Sequence, residues 1–162
     1  MRRQARFFRL LPCVFWLASS LTLADDIQLA LQQADSGNFY LHGTLDQTIE
    51  TDMLVDTGSG YVSLSRKTFN RIRQLPGTEY ARDIHGTMAN GHTLRIPIYR
   101  VHELALGESC VLRDIEVAVF PGADRDILGL NALRRLQPFT MQMDPPALIA
   151  SQCANLELSM SQ

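Results

Sequence analysis

Thr48-Ile49-Glu50-Thr51-Asp52-Met53-Leu54-Val55-Asp56-Thr57-Gly58-Ser59-Gly60-Tyr61-Val62-Ser63-Leu64 is the stretch from which the fold can be read. Its first part starts with rough alternation of polar and apolar residues and ends in an apolar run. A glycine-bearing tetrapeptide follows, and after Gly60 a short β-prone run resumes. That pattern predicts a strand, a tight loop and a second strand. Such a loop can hold one carboxylate, that of Asp56, at the bottom of a cleft. Gly58 lets the backbone approach closely, and Thr57 adds a hydroxyl.

Working outward, Phe39–Leu45 reads as a strand joined to Thr48–Val55 by a tight turn at Asp46-Gln47. Further upstream, Asp35-Ser36-Gly37-Asn38 reads as a turn after a strand at Ile27–Leu31. Downstream, Ser65–Ile72 carries a helical pattern. The segment His85–Ile96 contains Asn90-Gly91, a pair suited to a two-residue type I′ hairpin. Val101–Leu106 and Cys110–Phe120 are strands joined at Gly107-Glu108-Ser109. Asp124 and Asp126 lead into a second apolar strand that ends at Gly129, and Asn131–Leu136 is a short helix stopped by Pro138. Phe139–Met143 alternates again before Asp144-Pro145-Pro146 breaks it. Ala147–Ile149 is then a separate short strand or an edge.

An apolar strand, Asp56-Thr57-Gly58-Ser59 and a distant Ile127-Leu128-Gly129-Leu130-Asn131, in that order, resemble the single-lobed, retropepsin-like aspartic proteases. The resemblance covers roughly Phe39 to Ile149. It implies an all-β fold, a closed β-barrel lobe with one or two short helices, forming half of a two-fold symmetric dimer. By the same resemblance Asp56 is the catalytic carboxylate, Thr57 braces the two loops across the dimer, and Gly58 offers its N–H to Asp56. Ser59 would direct its hydroxyl to the outer carboxylate oxygen, and Gly129 would pack closely beneath the loop. Ala89, Asn90 and Gly91 stand where the family places its flap, a rigid surface hairpin being the other reading. Leu54, Val62 and Ile127 would wall a cleft for an extended peptide or protein substrate. No cofactor is implied.

Hydrolysis of an amide by this chemistry needs two carboxylates, one as general base on a water and one, protonated, on the scissile carbonyl. The chain has a single Asp-Thr-Gly. Asp35-Ser36-Gly37 lies too close upstream of Asp56 to leave room for a second lobe, so the second carboxylate must come from Asp56 of another copy. The expected function is therefore an aspartic endopeptidase working as a homodimer. A non-catalytic peptide- or partner-binding module of the same fold is the alternative.

Residues 1–24 have the form of a signal peptide: Arg2, Arg3, Arg6 and Arg9, then an apolar segment Leu10–Leu23, then Ala24. Export, with a Gram-negative periplasm as destination, is the expectation; an inner-membrane anchor formed by residues 7–24 is the alternative. A strand and turn at 25–38, the protease domain at 39–150 and a tail at 151–162 complete the organisation. Without the leader, eleven basic residues face seventeen acidic ones, a net charge of −6 with neutral histidines. Such a balance argues against a nucleic-acid partner, which needs a basic face. The pairs Arg66-Lys67 and Arg134-Arg135 read as solvated helix faces. Cys110 and Cys153 remain after the leader, either bonded to each other or as two separate thiols. His42, His85, His92 and His102 have no metal-ligand spacing, so no metal site is expected.

Overall fold

Ten strands, two helices and a 3-10 turn make up the part of the chain that the computed structural model describes, residues 26–87, 91 and 93–154. The expected leader, the tail containing Leu156-Glu157-Leu158, and Ala89 and Asn90 lie outside the described residues. The strands are β1 (Ile27–Gln33), β2 (Phe39–Leu45), β3 (Ile49–Val55), β4 (Val62–Leu64), β5 (Thr78–Thr87), β6 (Thr93–Leu106), β7 (Cys110–Val119), β8 (Asp126–Leu128), β9 (Phe139–Met143) and β10 (Pro146–Ala150). Helix α1 spans Arg66–Ile72, and α2, Leu130–Leu133, runs into the 3-10 turn Arg134–Leu136.

Six strands close into a barrel in the order β2-β3-β8-β4-β7-β6, because β6 returns to β2 through the pairs Gly43↔Leu106 to Leu45↔Leu104. Closure removes the sheet edges from that part of the molecule. Leu41, Leu45, Met53, Leu64, Leu104 and Leu112 fill the interior, each almost wholly buried. Two extensions leave the barrel. The hairpin β5–β6 projects on one side, and β1-β10-β9 extend the sheet beyond β2 on the other.

Local chemistry explains the joints. Both central residues of the β2–β3 turn are left-handed, Asp46 at φ 43° and Gln47 at φ 59°, the geometry that matches the twist of a two-residue hairpin. The Asp46 side chain holds the turn in place by accepting Glu103 N–H at 3.0 Å. Helix α1 begins at Ser65, whose Oγ accepts Thr68 N–H at 3.2 Å, and it buries Thr68, Phe69 and Ile72, residues spaced for one helical face.

Two segments differ from the sequence expectation. The pieces His85–Ile96 and Val101–Leu106 contribute to one 14-residue strand, β6, that continues through Pro97. Proline is tolerated there because residues 93–97 pair only with β5, while pairing with β7 starts at Ile98. Beyond Asp144-Pro145, β10 is not an edge. It lies between β1 and β9, and Pro146 sits at its first position, where a missing N–H breaks no interior ladder.

Cys110, at the start of β7, is disulfide-bonded to Cys153, their Cα atoms 5.6 Å apart. The bond ties the C-terminal segment to the barrel across 43 residues of sequence. Replacing both cysteines by alanine is expected to cost about 2–4 kcal/mol. By thermal unfolding the loss should appear as a drop in Tm on the order of 10 °C. An unchanged Tm would show that the barrel holds this segment without the bond.

Candidate active site

Backbone contacts hold the Asp56 loop from below. Asp56 N–H donates to Leu128 C=O at 3.2 Å, extending the parallel pairing of β3 with β8. Ser59 N–H closes the turn on Asp56 C=O at 3.3 Å. Beneath it, Gly129 passes so close that a Cβ there would lie 2.1 Å from Tyr61 O and 2.9 Å from Ser59 O. Only glycine fits. The approach lets the first residues of α2 reach the loop: Leu130 N–H donates to Ser59 C=O at 2.8 Å and Asn131 N–H to Gly60 C=O at 3.2 Å.

Within the loop, the Asp56 carboxylate is half-buried, and its Oδ1 accepts Gly58 N–H at 2.8 Å. A side chain on Gly58 would begin only 3.1 Å from that oxygen. Thr57 is exposed beside it. The carboxylate faces a cleft of about 680 Å³ whose far wall is the segment Phe120–Arg125 together with Ile127. One carboxylate with a single N–H donor keeps lone pairs available for a bound water. Among the described residues no group of three His, Cys, Asp or Glu side chains is arranged to hold a metal ion.

Several placements differ from those read in the sequence. The Ser59 hydroxyl donates to Tyr61 C=O at 2.8 Å and not to Asp56, because the turn folds Ser59 back toward the loop exit. Val62 points into the barrel core and is fully buried, so it is no part of the cleft wall; Leu54 is also absent from the lining, and Ile127 is present. Of the pair Arg134-Arg135, only Arg134 is solvated. Arg135 is 9% exposed and donates to Arg113 C=O at 2.5 Å and Asp114 C=O at 3.3 Å. Those carbonyls face it where β7 kinks at the left-handed Asp114. Gly91 takes φ +82°, and nothing in the described residues lies within 4 Å of where its Cβ would be.

Two residues to which the sequence reading gave no role at the site hold it together. Asp126 is 4% exposed and accepts Ser65 N–H at 2.5 Å, Thr68 Oγ1 at 2.6 Å and the hydroxyl of Thr51. Three donors around one buried carboxylate join β3, α1 and β8 behind the loop. Asn131 uses both ends of its amide, accepting Val62 N–H at 2.7 Å and donating to Glu116 C=O at 2.7 Å. Composition and periodicity carry no signal for either, since each depends on partners distant in sequence.

A family model described as "gag-polyprotein putative aspartyl protease" matches residues 41–135, the stretch that holds both loops. The chain belongs to this family of aspartic proteases. Its lobe is similar to the crystal structure of a retropepsin-like aspartic protease from Rickettsia conorii, with a TM-score of 0.56 and 21% identity over 77% of this chain and 89% of that one. At that identity the likeness is one of fold: all-β, retropepsin-like. No curated protein matches the chain in sequence.

Around the retropepsin-like loop lie two ionic clusters. Arg82 (β5) holds Glu116 (β7) with both ends of its guanidinium, one contact at 2.7 Å. Arg95 (β6) donates to Asp83 from Nε at 2.7 Å and from Nη2, and Tyr80 OH adds a bond at 2.9 Å. The Arg82 fork holds the Glu116 carboxyl below the usual glutamate range against the upward pull of burial, and Arg95, then Tyr80, lower Asp83 in the same way. Burial moves Arg135 in the direction expected for a desolvated cation, downward.

Two measurements follow from these contacts. In Asp126→Asn an amide NH2 must face a donor, which should destabilise the fold by about 2–3 kcal/mol; chemical denaturation at neutral pH measures it, and a loss below about 0.5 kcal/mol would refute the three-donor account. Glu116, with its folded value depressed, contributes stability that is present above the ordinary glutamate value and fades as pH falls through the folded one. The Tm gap between wild type and Glu116→Gln should therefore be constant from about pH 7 to 5 and narrow progressively below about pH 4. A gap that stays level down to pH 3 or widens would contradict it.

Proposed function

We propose that this chain is an aspartic endopeptidase in which Asp56 of each of two copies supplies one catalytic carboxylate. The observation that carries the reading is the Asp56 carboxylate itself. It is presented to a cleft by a loop seated on Gly129, with one N–H donor on Oδ1 and a sequence that contains no second such loop. Family and fold are those of aspartic proteases.

The chemistry follows from bringing two such carboxylates together. At a separation of about 3 Å they cannot both ionise, so one proton is shared between them. The ionised carboxylate takes a proton from the water between them as its oxygen attacks the scissile carbonyl carbon. The protonated carboxyl gives its proton to the carbonyl oxygen. In the reverse sense, the carboxyl that gained a proton delivers it to the leaving amide nitrogen as the C–N bond breaks. The other carboxylate takes a proton from a gem-diol hydroxyl as the carbonyl re-forms, which restores the shared proton. Gly58 N–H steadies Asp56 Oδ1 through these exchanges without competing for the outer oxygen.

The sheet edges support association with a second copy. The outer edge β5 carries Arg82, Asp83 and His85 and a bulge at Tyr80/Arg82, features that discourage pairing with another chain. Edge strand β9, Phe139-Thr140-Met141-Gln142-Met143, has no charge and no proline, and Met143 is 60% exposed. Ser151 N–H donates to Pro138 C=O, so in this register Thr140 and Gln142 bond toward β10 while the backbone groups of Phe139, Met141 and Met143 face outward. The reading of an exported enzyme rests on the leader-like segment and agrees with a disulfide, which persists in oxidising compartments.

Peptide-library cleavage by residues 25–162 tests the proposal. Wild type should cleave extended peptides with specific activity that falls on dilution, and Asp56→Asn should lose at least about a hundredfold in kcat. Equal cleavage by both would remove Asp56 from the chemistry, and activity independent of dilution would remove the second copy.

A further inference from the structure

The residue that leaves the Asp56 loop, Tyr61, is gripped at both ends. Its carbonyl accepts the Ser59 hydroxyl at 2.8 Å and lies against Gly129. Its phenol oxygen lies 3.3 Å from Arg82 Nη2 and accepts that N–H. Arg82 belongs to β5, the outer strand of the hairpin, and its guanidinium also makes the two-pronged contact with Glu116 of β7. Strand β6 separates β5 from β7, so this side chain spans a strand to reach them. Glu116 in turn offers its carbonyl to Asn131, which holds Val62 N–H and donates its own N–H to Gly60 C=O. Beneath the same face Tyr61 packs with Ile84, Leu94, Ile96, Ile98 and Phe120 in an apolar cluster separate from the barrel core.

Taken together, these links join the β5–β6 hairpin to the exit of the Asp56 loop. The hairpin packs with Phe120 of the cleft wall. Under the protease reading it contributes backbone to an extended peptide, and a fork-shaped, charge-assisted contact fixes its distance as well as its direction. We infer that Arg82 is a positioning residue, coupling the hairpin to the catalytic loop through Glu116 and Tyr61 so that the peptide-binding backbone is set relative to Asp56. The inference rests on the protease reading for its kinetic consequence and on the structure alone for the coupling. Arg82 is 46% exposed, so the coupling acts on the geometry of the hairpin more than on global stability.

Two readouts test it, and they separate its failure from failure of the protease reading. In steady-state cleavage, Arg82→Ala should raise KM about fivefold to tenfold and change kcat less than about twofold, the pattern of lost substrate binding. Arg82→Lys keeps the charge without the fork and should recover less than half of the effect on a logarithmic scale. Tyr61→Phe removes only the hydroxyl and keeps the apolar packing, so it remains interpretable if Arg82→Ala fails to fold; KM should rise about twofold to threefold. Native-state hydrogen exchange needs no turnover. The amides of Val62, Ser63 and Leu64 should exchange faster in Arg82→Ala and in Tyr61→Phe than in wild type. Unchanged KM in folded variants, full rescue by lysine, or unchanged exchange at Val62–Leu64 each overturns the coupling. If wild type cleaves nothing, the protease reading falls and the exchange result alone decides this one.

Discussion

The close approach of Gly129 to the carbonyls of Ser59 and Tyr61 is the constraint on which the site depends. A helix begins with N–H groups that have no partner within it, and a tight loop ends with carbonyls in the same position. Here each satisfies the other. Leu130 and Asn131 supply donors, Ser59 and Gly60 supply acceptors, and the start of α2 has no side-chain cap. A methyl group at residue 129 would separate the two by more than a hydrogen bond can span. The loop's height, the direction of the Asp56 carboxylate and the entry of α2 are therefore settled together, by the absence of one carbon atom.

The two aspartates near this junction show how environment divides their tasks. Asp126 is withdrawn from water and surrounded by three donors, one from β3 and two from the start of α1, so its oxygens are committed to the fold. Asp56 is half-buried, receives one N–H and faces open space. A buried carboxylate with every acceptor used is a joint; one with acceptors left over at a cleft can do chemistry. The two lie on adjacent strands, β8 and the end of β3, paired in parallel, which lets the buried carboxylate hold the strand that carries the cleft-facing one.

Much of this fold was legible because it rests on local rules. Asp46-Gln47 between two strand-like runs, the helical pattern of Ser65–Ile72 and a glycine after Ile127-Leu128 are each legible from residue type. The family resemblance read from Asp56-Thr57-Gly58-Ser59 and Ile127–Asn131 agrees with the match over residues 41–135. What stayed hidden was the choice of partner. Ser59 could have bonded Asp56 or Tyr61 with the same hydroxyl, and only the folded turn decides. Arg135 looks like a solvated helix residue until the kink at Asp114 turns two carbonyls toward it. Val62 follows the alternation of a strand, but whether its face meets the cleft or the core depends on barrel closure. Asp126 and Asn131 fall in the same class, since their partners lie 15 to 75 residues away in the chain.

Charge is distributed over the sheet with the same logic. Two of its ion pairs lie at the hairpin: Asp83 with Arg95 joins its two strands, and Arg82 with Glu116 ties it to β7. A two-stranded hairpin has little stability of its own, so a projecting one needs such ties to keep a defined position. The opposite edge, β9, lacks every one of these devices. Edge strands without charge, proline or bulge are exposed to pairing, and a chain that carried one without use for it would face aggregation. Under the proposed function the asymmetry has a single cause. Pairing is directed away from one edge, by charge and a bulge, and toward the other, for the copy that completes the pair of carboxylates.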